Sequence, residues 1–299
     1  MSDRKFIIPE FGPFAGMRVV CSGSLVAMPF AATMLADFGA EVIQIERPGV
    51  GDTLRMLAPF ADVNGTKVST AWAQNARNKL AMSLELNLKH EEVKEIFYGL
   101  IKEADIFMEN MVWMDKLGVY DEELLKVNPK LVIVHVSGMG HKEFGGLPNV
   151  CNRASYDMIG QAFSGWLYLQ GDADRDPAIA KPYTNDYVSA FACLFAALAG
   201  YTYAQKTGKG QVVDVAQFEA QAQYMCGVYT TYTMTGKKNV EVADACCGDI
   251  VAVGKMDWKT GDTLTDSKDD IELPAIEIPE PMYSMAIAPK TKGQDDKVA

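Results

Sequence analysis

The chain has 299 residues, 48% of them hydrophobic, with a formal net charge of −11 and a pI near 4.8. Its length and apolar content suffice for one large or two smaller domains with a sizeable core. The acidity argues against wrapping nucleic acid or lying on anionic lipid, but it leaves room for a local basic site for a phosphorylated small molecule. The first residues, MSDRKFIIPEFGPFAG, lack an apolar signal region and a small-residue cleavage site. No unbroken apolar run of about 18 residues occurs, so no membrane helix is expected. The six cysteines, at 21, 151, 193, 226, 246 and 247, form no CxxC pair, and the histidines are His90, His135 and His141. No metal site is expected from this set, and buried thiols in a cytoplasmic protein are the simplest reading.

MRVVCSG (17–23) predicts a strand, PFAATMLADFG (29–39) a helix and EVIQIE (41–46) a second strand. Pro29 falls in the helix's first turn and Gly39 is placed to end it. This is a βαβ unit, the seed of a parallel sheet. Further on, 87–104 predicts an amphipathic helix, 105–110 a strand, 120–128 a helix and 130–138 an apolar strand. A long helix follows at 184–206, then a strand at 211–217 and a helix at 218–234. Alternating strands and helices predict an α/β domain with helices on both faces of the sheet. After about residue 236 charge rises and proline-flanked segments replace helices. VAVGKMDWKTGDTL reads as a β-hairpin in a short β-rich tail.

The long helix begins in KPYTNDYVSAFACLFAALAG, from Lys181, with a carboxylate between two tyrosines. Capping explains it simply, because Asn185 or Asp186 can accept from the first backbone N–H groups. The usual chemical signatures are absent. SGSLVAMPF after the first strand lacks the glycines of a dinucleotide fingerprint. No P-loop, no G-x-S-x-G elbow and no H-E-x-x-H occurs. A lone carboxylate acting as nucleophile or base stays open.

Several stretches taken together resemble one family. They are FGPFAGMRVVCSGSLVAMPFAATMLADFGAEVIQIERPGVGDTLR, NARNKLAMSLELN, PKLVIVHVSGMG, RASYDMIGQAFSG, PYTNDY and TGKGQVVDVAQFEA. In this order, residues 11–235 resemble the family III CoA-transferases, the CaiB/BaiF group that includes carnitine and bile-acid CoA-transferases. The resemblance implies a Rossmann-like parallel sheet with flanking helices. It also implies coenzyme A as part of the substrate, a small carboxylic acid as partner and an interlocked homodimer. It places a nucleophilic aspartate at Asp186, which would carry CoA as an aspartyl thioester. Arg47, Lys79 and Arg55 match positions near the nucleotide end of CoA. In ENMVWMDKLG, Lys116 matches a further basic position. Trp113 is a candidate to pack on the adenine. Tyr183 and Tyr187 are candidates to line an acyl pocket, and Tyr156 and Gln161 to touch substrate. Core packing or a buried turn explains these last four equally well.

The likeness departs from the family beyond 235, where the family's small domain and its returning segment are not found. Residues 237–299 instead resemble a fragment of elongation factor G, at the junction of its second and third domains, without any of its nucleotide-binding motifs. The expected organisation is therefore a large CoA-transferase domain over 1–235 and an elongation-factor-like segment over 236–299. The leading reading is an acyl-CoA:carboxylate CoA-transferase acting on carnitine- or crotonobetaine-like acids. Against it stand a chimeric chain that only binds CoA or protein weakly, a racemase-type member, and a translation-factor fragment.

Overall fold

Six parallel strands carry the architecture in a computed structural model, which describes residues 4–111, 113–151, 153–170, 175–225 and 227. In chain order the strands and helices begin β1 (Arg18–Cys21), α1 (Ala27–Asp37), β2 (Glu41–Glu46), β3 (Phe60–Val63), β4 (Thr66–Ser69), α2 (Thr70–Asn75), β5 (Leu80–Ser83) and α3 (Glu91–Glu103). They continue with β6 (Ile106–Glu109), α4 (Asp121–Val127), β7 (Val132–Ser137), α5 (Asp157–Phe163), α6 (Trp166–Leu169), α7 (Thr184–Thr207), β8 (Gln211–Ala216) and α8 (Gln217–Tyr224). The sheet order is β5-β2-β1-β6-β7-β8, and β3 and β4 form a separate antiparallel hairpin. With the sheet strands renumbered by sequence, that order is 3-2-1-4-5-6, the doubly wound arrangement of the Rossmann fold. Register pairs Val19 with Val42 on one side of β1 and with Ile106 on the other.

The central strands are buried on both faces, so they read as apolar runs and not as alternating patterns. One face packs Val19, Met108 and Val134 against α1 and α7. The other packs Val20, Phe107 and Ile133 against residues of α3 and α4 such as Phe97 and Leu124. On α7 the buried positions Ala190, Cys193, Ala197, Gly200 and Ala204 repeat every three or four residues. They are small, which lets the helix lie close to the sheet. A Cβ at Gly200 would stand 2.7 Å from Val132 Cγ1. The aromatics Phe191 and Phe195 point outward, the latter 77% exposed.

α1 starts two residues before the expected position. Pro29 sits inside its first turn, where a missing N–H costs nothing. Gly39 follows it with φ +100°, and a Cβ there would strike the Phe11 carbonyl oxygen at 1.7 Å. α7 is long and apolar enough to span a bilayer. It holds no unbroken apolar run of about 18 residues, because Ser189 and Thr202 interrupt it. In the fold the helix packs on α1, β7, β8 and α8. Cys21, Cys151 and Cys193 are buried free thiols. The expected hairpin at 251–264 and the elongation-factor-like segment lie outside the described residues.

A polar row crosses the α3/α4 face of the sheet. Register sets Glu109 beside His135 and His135 beside Asp214. His135 Nδ1 bonds Glu109 Oε1, and its Nε2 lies 2.9 Å from Asp121 Oδ2 at the start of α4. His141 Nδ1 lies 2.6 Å from Asp214 Oδ1. Burial alone would lower the His135 pKa, but the two carboxylates outweigh it and raise it to about 10.

Candidate active site

Strand order reverses at β1, which has β2 on one side and β6 on the other. A doubly wound sheet binds ligands at the carboxyl edge of such a point. Here the turn after β1 is fastened from three directions. Asn110, just past β6, accepts from Ser24 N at 2.9 Å and donates to Ser24 O at 2.8 Å. Gln44 donates to Gly23 O at 2.6 Å, and Asp52 accepts from Leu25 N at 3.1 Å. These bonds hold Leu25 at φ 67°, a left-handed conformation unfavourable for a branched side chain.

Two clefts open beside this turn. One, of about 250 Å³, is lined by Ser24, Asn110, Ser137, Gly138 and Gln217. The other, of about 640 Å³, is more apolar, with Leu57, Met158, Ile179, Pro182 and Tyr183 in its wall. Asp186 borders both, as do Val26 and Tyr156.

Asp186 stands in the first turn of α7, but it does not cap the helix. Neither does Asn185, so the simple capping explanation is corrected. The cap comes from α5. Asp157 Oδ1 accepts from Asn185 N at 2.7 Å and from Asp186 N at 3.1 Å. The Asp186 side chain is thereby left for another role. Its Oδ1 accepts from Gln217 Nε2 at 2.6 Å. Among the described residues Oδ2 has no hydrogen-bond partner, and Asp186 lines both clefts. Burial, followed by the nearby Asp157 charge, raises the Asp186 pKa to about 7 against the pull of Gln217. Burial also raises Asp157.

The other sequence candidates separate. Tyr156, 65% exposed, and Tyr183 line the larger cleft. Tyr187 turns away: it stacks edge-on against Phe30 and donates to Asn75 Oδ1 at 3.2 Å. Gln161 is wholly buried and lines neither cleft. It donates to Asp157 Oδ2 at 2.5 Å and pairs with both backbone groups of Ala180. It lies in a helix and not in a turn. Lys79 points inward, donating to Pro29 O and Gln44 Oε1 at 3.0 Å each, and burial lowers its pKa. Arg55 grips Glu46 with two 2.7 Å bonds and lies 3.8 Å over the Trp72 ring. Arg47 is exposed after β2. Lys116 is exposed after β6, with its ammonium 4.7 Å over the Trp113 ring. Among the described residues no group of His, Cys, Asp or Glu side chains is arranged to hold a metal ion.

Asn110, Asp157 and Gln217 were not singled out from sequence. Each lies inside or beside a quoted stretch, but nothing in its spacing marks it, because its partner is 28 or more positions away.

Residues 14–253 match the family model described as CoA-transferase family III. The chain belongs to this family. It is 39% identical over 232 residues to a bile acid CoA-transferase, BaiK, of Clostridium scindens, covering 77% of this chain and 49% of that protein. It is 42% identical over 214 residues to an L-carnitine CoA-transferase of Proteus mirabilis, covering 71% and 48%. A crystal structure of a CAIB/BAIF family protein from Brucella suis superposes with a TM-score of 0.69 at 30% identity, covering 76% of this chain and 59% of that one. Rv3272 from Mycobacterium tuberculosis superposes at 0.66 with 25% identity, covering 77% and 62%. The chain spans about half the length of the curated relatives it matches. The family match runs past residue 235, where the resemblance read from the sequence ends.

Proposed function

We propose that this chain carries the covalent half of an acyl-CoA:carboxylate CoA-transferase, with Asp186 as nucleophile and small, carnitine- or crotonobetaine-like acids as acyl groups. The acids are proposed on the 42% identity to an L-carnitine CoA-transferase. One observation supports the nucleophile above the rest. Asp186 borders both clefts, with Oδ1 tied to Gln217 and Oδ2 open.

The ionised carboxylate attacks the carbonyl carbon of the donor thioester. The C–S bond breaks and CoA leaves as a thiolate, giving an acyl–aspartyl anhydride. The thiolate attacks the Asp186 carboxyl carbon, releases the donor acid and leaves an aspartyl-CoA thioester. An acceptor carboxylate then attacks that thioester, forming a second anhydride and freeing the thiolate. The thiolate takes the new acyl group and restores Asp186. Protons balance without a separate acid or base. The Gln217 amide donates to the carboxyl oxygen that does not attack. The α7 N-terminus places positive dipole where charge develops on that carboxyl.

For the nucleotide end we propose Arg47 and Lys116, exposed near the carboxyl edge, with Trp113 as an adenine platform. Arg55 and Lys79 act from behind. Arg55 holds Glu46, and Lys79 holds Gln44, which in turn holds Gly23. A homodimer and a cytoplasmic location complete the proposal, as does the elongation-factor-like nature of 236–299.

The test is a trap. The purified chain is incubated with crotonobetainyl-CoA, reduced with borohydride and digested. Conversion of Asp186 to the alcohol supports the reading. An unmodified Asp186 peptide from folded protein overturns it in favour of CoA or protein binding without turnover.

A further inference from the structure

We propose that Asp157 is a positioning residue for Asp186: its single carboxylate both fastens the helix end that carries the nucleophile and confronts that nucleophile with a negative charge. The inference rests on Asp186 being the reactive group.

The geometry is specific. A helix start leaves its first N–H groups unpaired, and a side chain of the same segment usually takes them. In α7 no local side chain does so, and Tyr183 before it lies at φ 41°. The acceptor is imported from α5, 28 residues earlier. Asp157 Oδ1 receives both amides, and Oδ2 is held by Gln161, whose other bonds clamp Ala180. Asp157 is 7% exposed. The segment leading into α7 and the first turn of α7 are thus tied to α5 through one carboxylate and one amide. α5 can lie this close because residue 160 is glycine. A Cβ there would stand 2.1 Å from Asn185 Nδ2.

A neutral cap would satisfy the same two N–H groups. The carboxylate adds a charge. Of the groups beside Asp186, α5 presents Asp157 with Tyr156 just before it, α8 presents neutral Gln217, and Tyr183 stands just before α7. Lys181, in the segment before α7, shares the larger cleft and is exposed. Asp157 is therefore the charge that opposes ionisation of Asp186, and its loss makes Asp186 ionise at lower pH. A carboxylate kept from full ionisation near neutral pH is held less tightly as an anion, and so is more ready to bond to a carbonyl carbon.

Two variants separate fastening from charge. Asp157→Asn keeps an oxygen for both amides and removes the charge. Asp157→Ala removes both. The protein is labelled with 13C at the aspartate carboxyl carbons, and the Asp186 signal is assigned by its loss in Asp186→Asn. In Asp157→Asn its titration midpoint is expected to fall by about 0.5–1 pH unit. Hydrogen exchange of the Asn185 and Asp186 amides is expected to stay slow in Asp157→Asn and to rise at least about tenfold in Asp157→Ala. An unmoved midpoint in folded Asp157→Asn overturns the proposal. So does unchanged amide protection in Asp157→Ala. Should Asp157→Ala fail to fold, the midpoint in Asp157→Asn decides. Neither readout needs acyl-CoA, so a failed borohydride trap would reject the nucleophile without touching this result.

Discussion

Asp186 shows how one residue answers to several environments. Its pKa near 7 stems from burial first and Asp157 second. Acylation needs the anion, so the rate of the first half-reaction is expected to rise through about pH 7 and level off above it. Quenched-flow mass spectrometry across pH 5–9 checks this, and a rate independent of pH in that range would contradict it. The same shift carries a stability consequence. The folded pKa lies above the ordinary aspartate value of 3.8. The stability tied to this group is full below that ordinary value and is lost as pH rises through about 7. Asp186→Asn is therefore expected to raise the melting temperature at pH 8 by several degrees, on the order of a few kcal/mol, and to leave it nearly unchanged at about pH 3.5, below the ordinary aspartate value. Melts at the two pH values read it directly. The proposed nucleophile Asp186 stands out in PYTNDY, but the residues that hold it do not. Gln217 and Asp157 are distant in sequence, and an isolated glutamine or aspartate carries no mark of what it will face. Lys79 shows the converse. Its match to a family pattern placed it at CoA, while the fold turns its ammonium inward to Gln44.

At the scale of elements, the long and strongly patterned segments were legible. β2 falls at the expected residues, and α7 and β8 within a residue or two. The short ones were not. β3 and β4 are four residues each and mostly exposed, so no alternation of burial marks them. α5 reads as a turn because Gly160 disfavours a helix by about 1 kcal/mol. Packing reverses that preference, since α7 leaves no room for a side chain at 160. His135 on β7 ties β6 to the start of α4 through Glu109 and Asp121. Its folded pKa is about 10, above the ordinary 6.5. The stability from this pair is full below about pH 6.5 and is lost as pH rises through about 10. His135→Gln is expected to cost about 3–5 kcal/mol at pH 6, because the buried carboxylate of Glu109 loses its cation. The cost should shrink toward pH 10.5. Urea unfolding of both proteins at pH 6, 8 and 10.5 measures it, and a penalty that does not vary with pH would show that the imidazole contributes by packing.

For the whole molecule, the α/β class was readable because alternating apolar strands and helices admit few topologies, and the family was readable from its motifs in order, whereas the strand order comes from the fold. What covers the outer side of α7 was not readable, since sequence does not say which face of an apolar helix meets solvent. The fold shows Phe191 at 57% and Phe195 at 77% exposure, with Phe163 and Tyr224 also exposed on α5 and α8. Phe30 lies beside Phe191, with ring centroids 6.3 Å apart, so the aromatic surface extends from α7 to α1. Soluble monomers seldom leave such rings together in water. The curated relatives are about twice as long as the stretch that matches here. With this face exposed, the chain is expected to self-associate in the micromolar range. Phe191→Glu with Phe195→Glu adds two charges at positions that touch little of the core, so it should weaken association at least about tenfold without loss of fold. Sedimentation velocity over a concentration series compares the two proteins, with circular dichroism to confirm that both are folded. Equal association in the double variant would place the contact elsewhere on the surface. A wild-type chain that remains monomeric at high concentration would overturn the prediction.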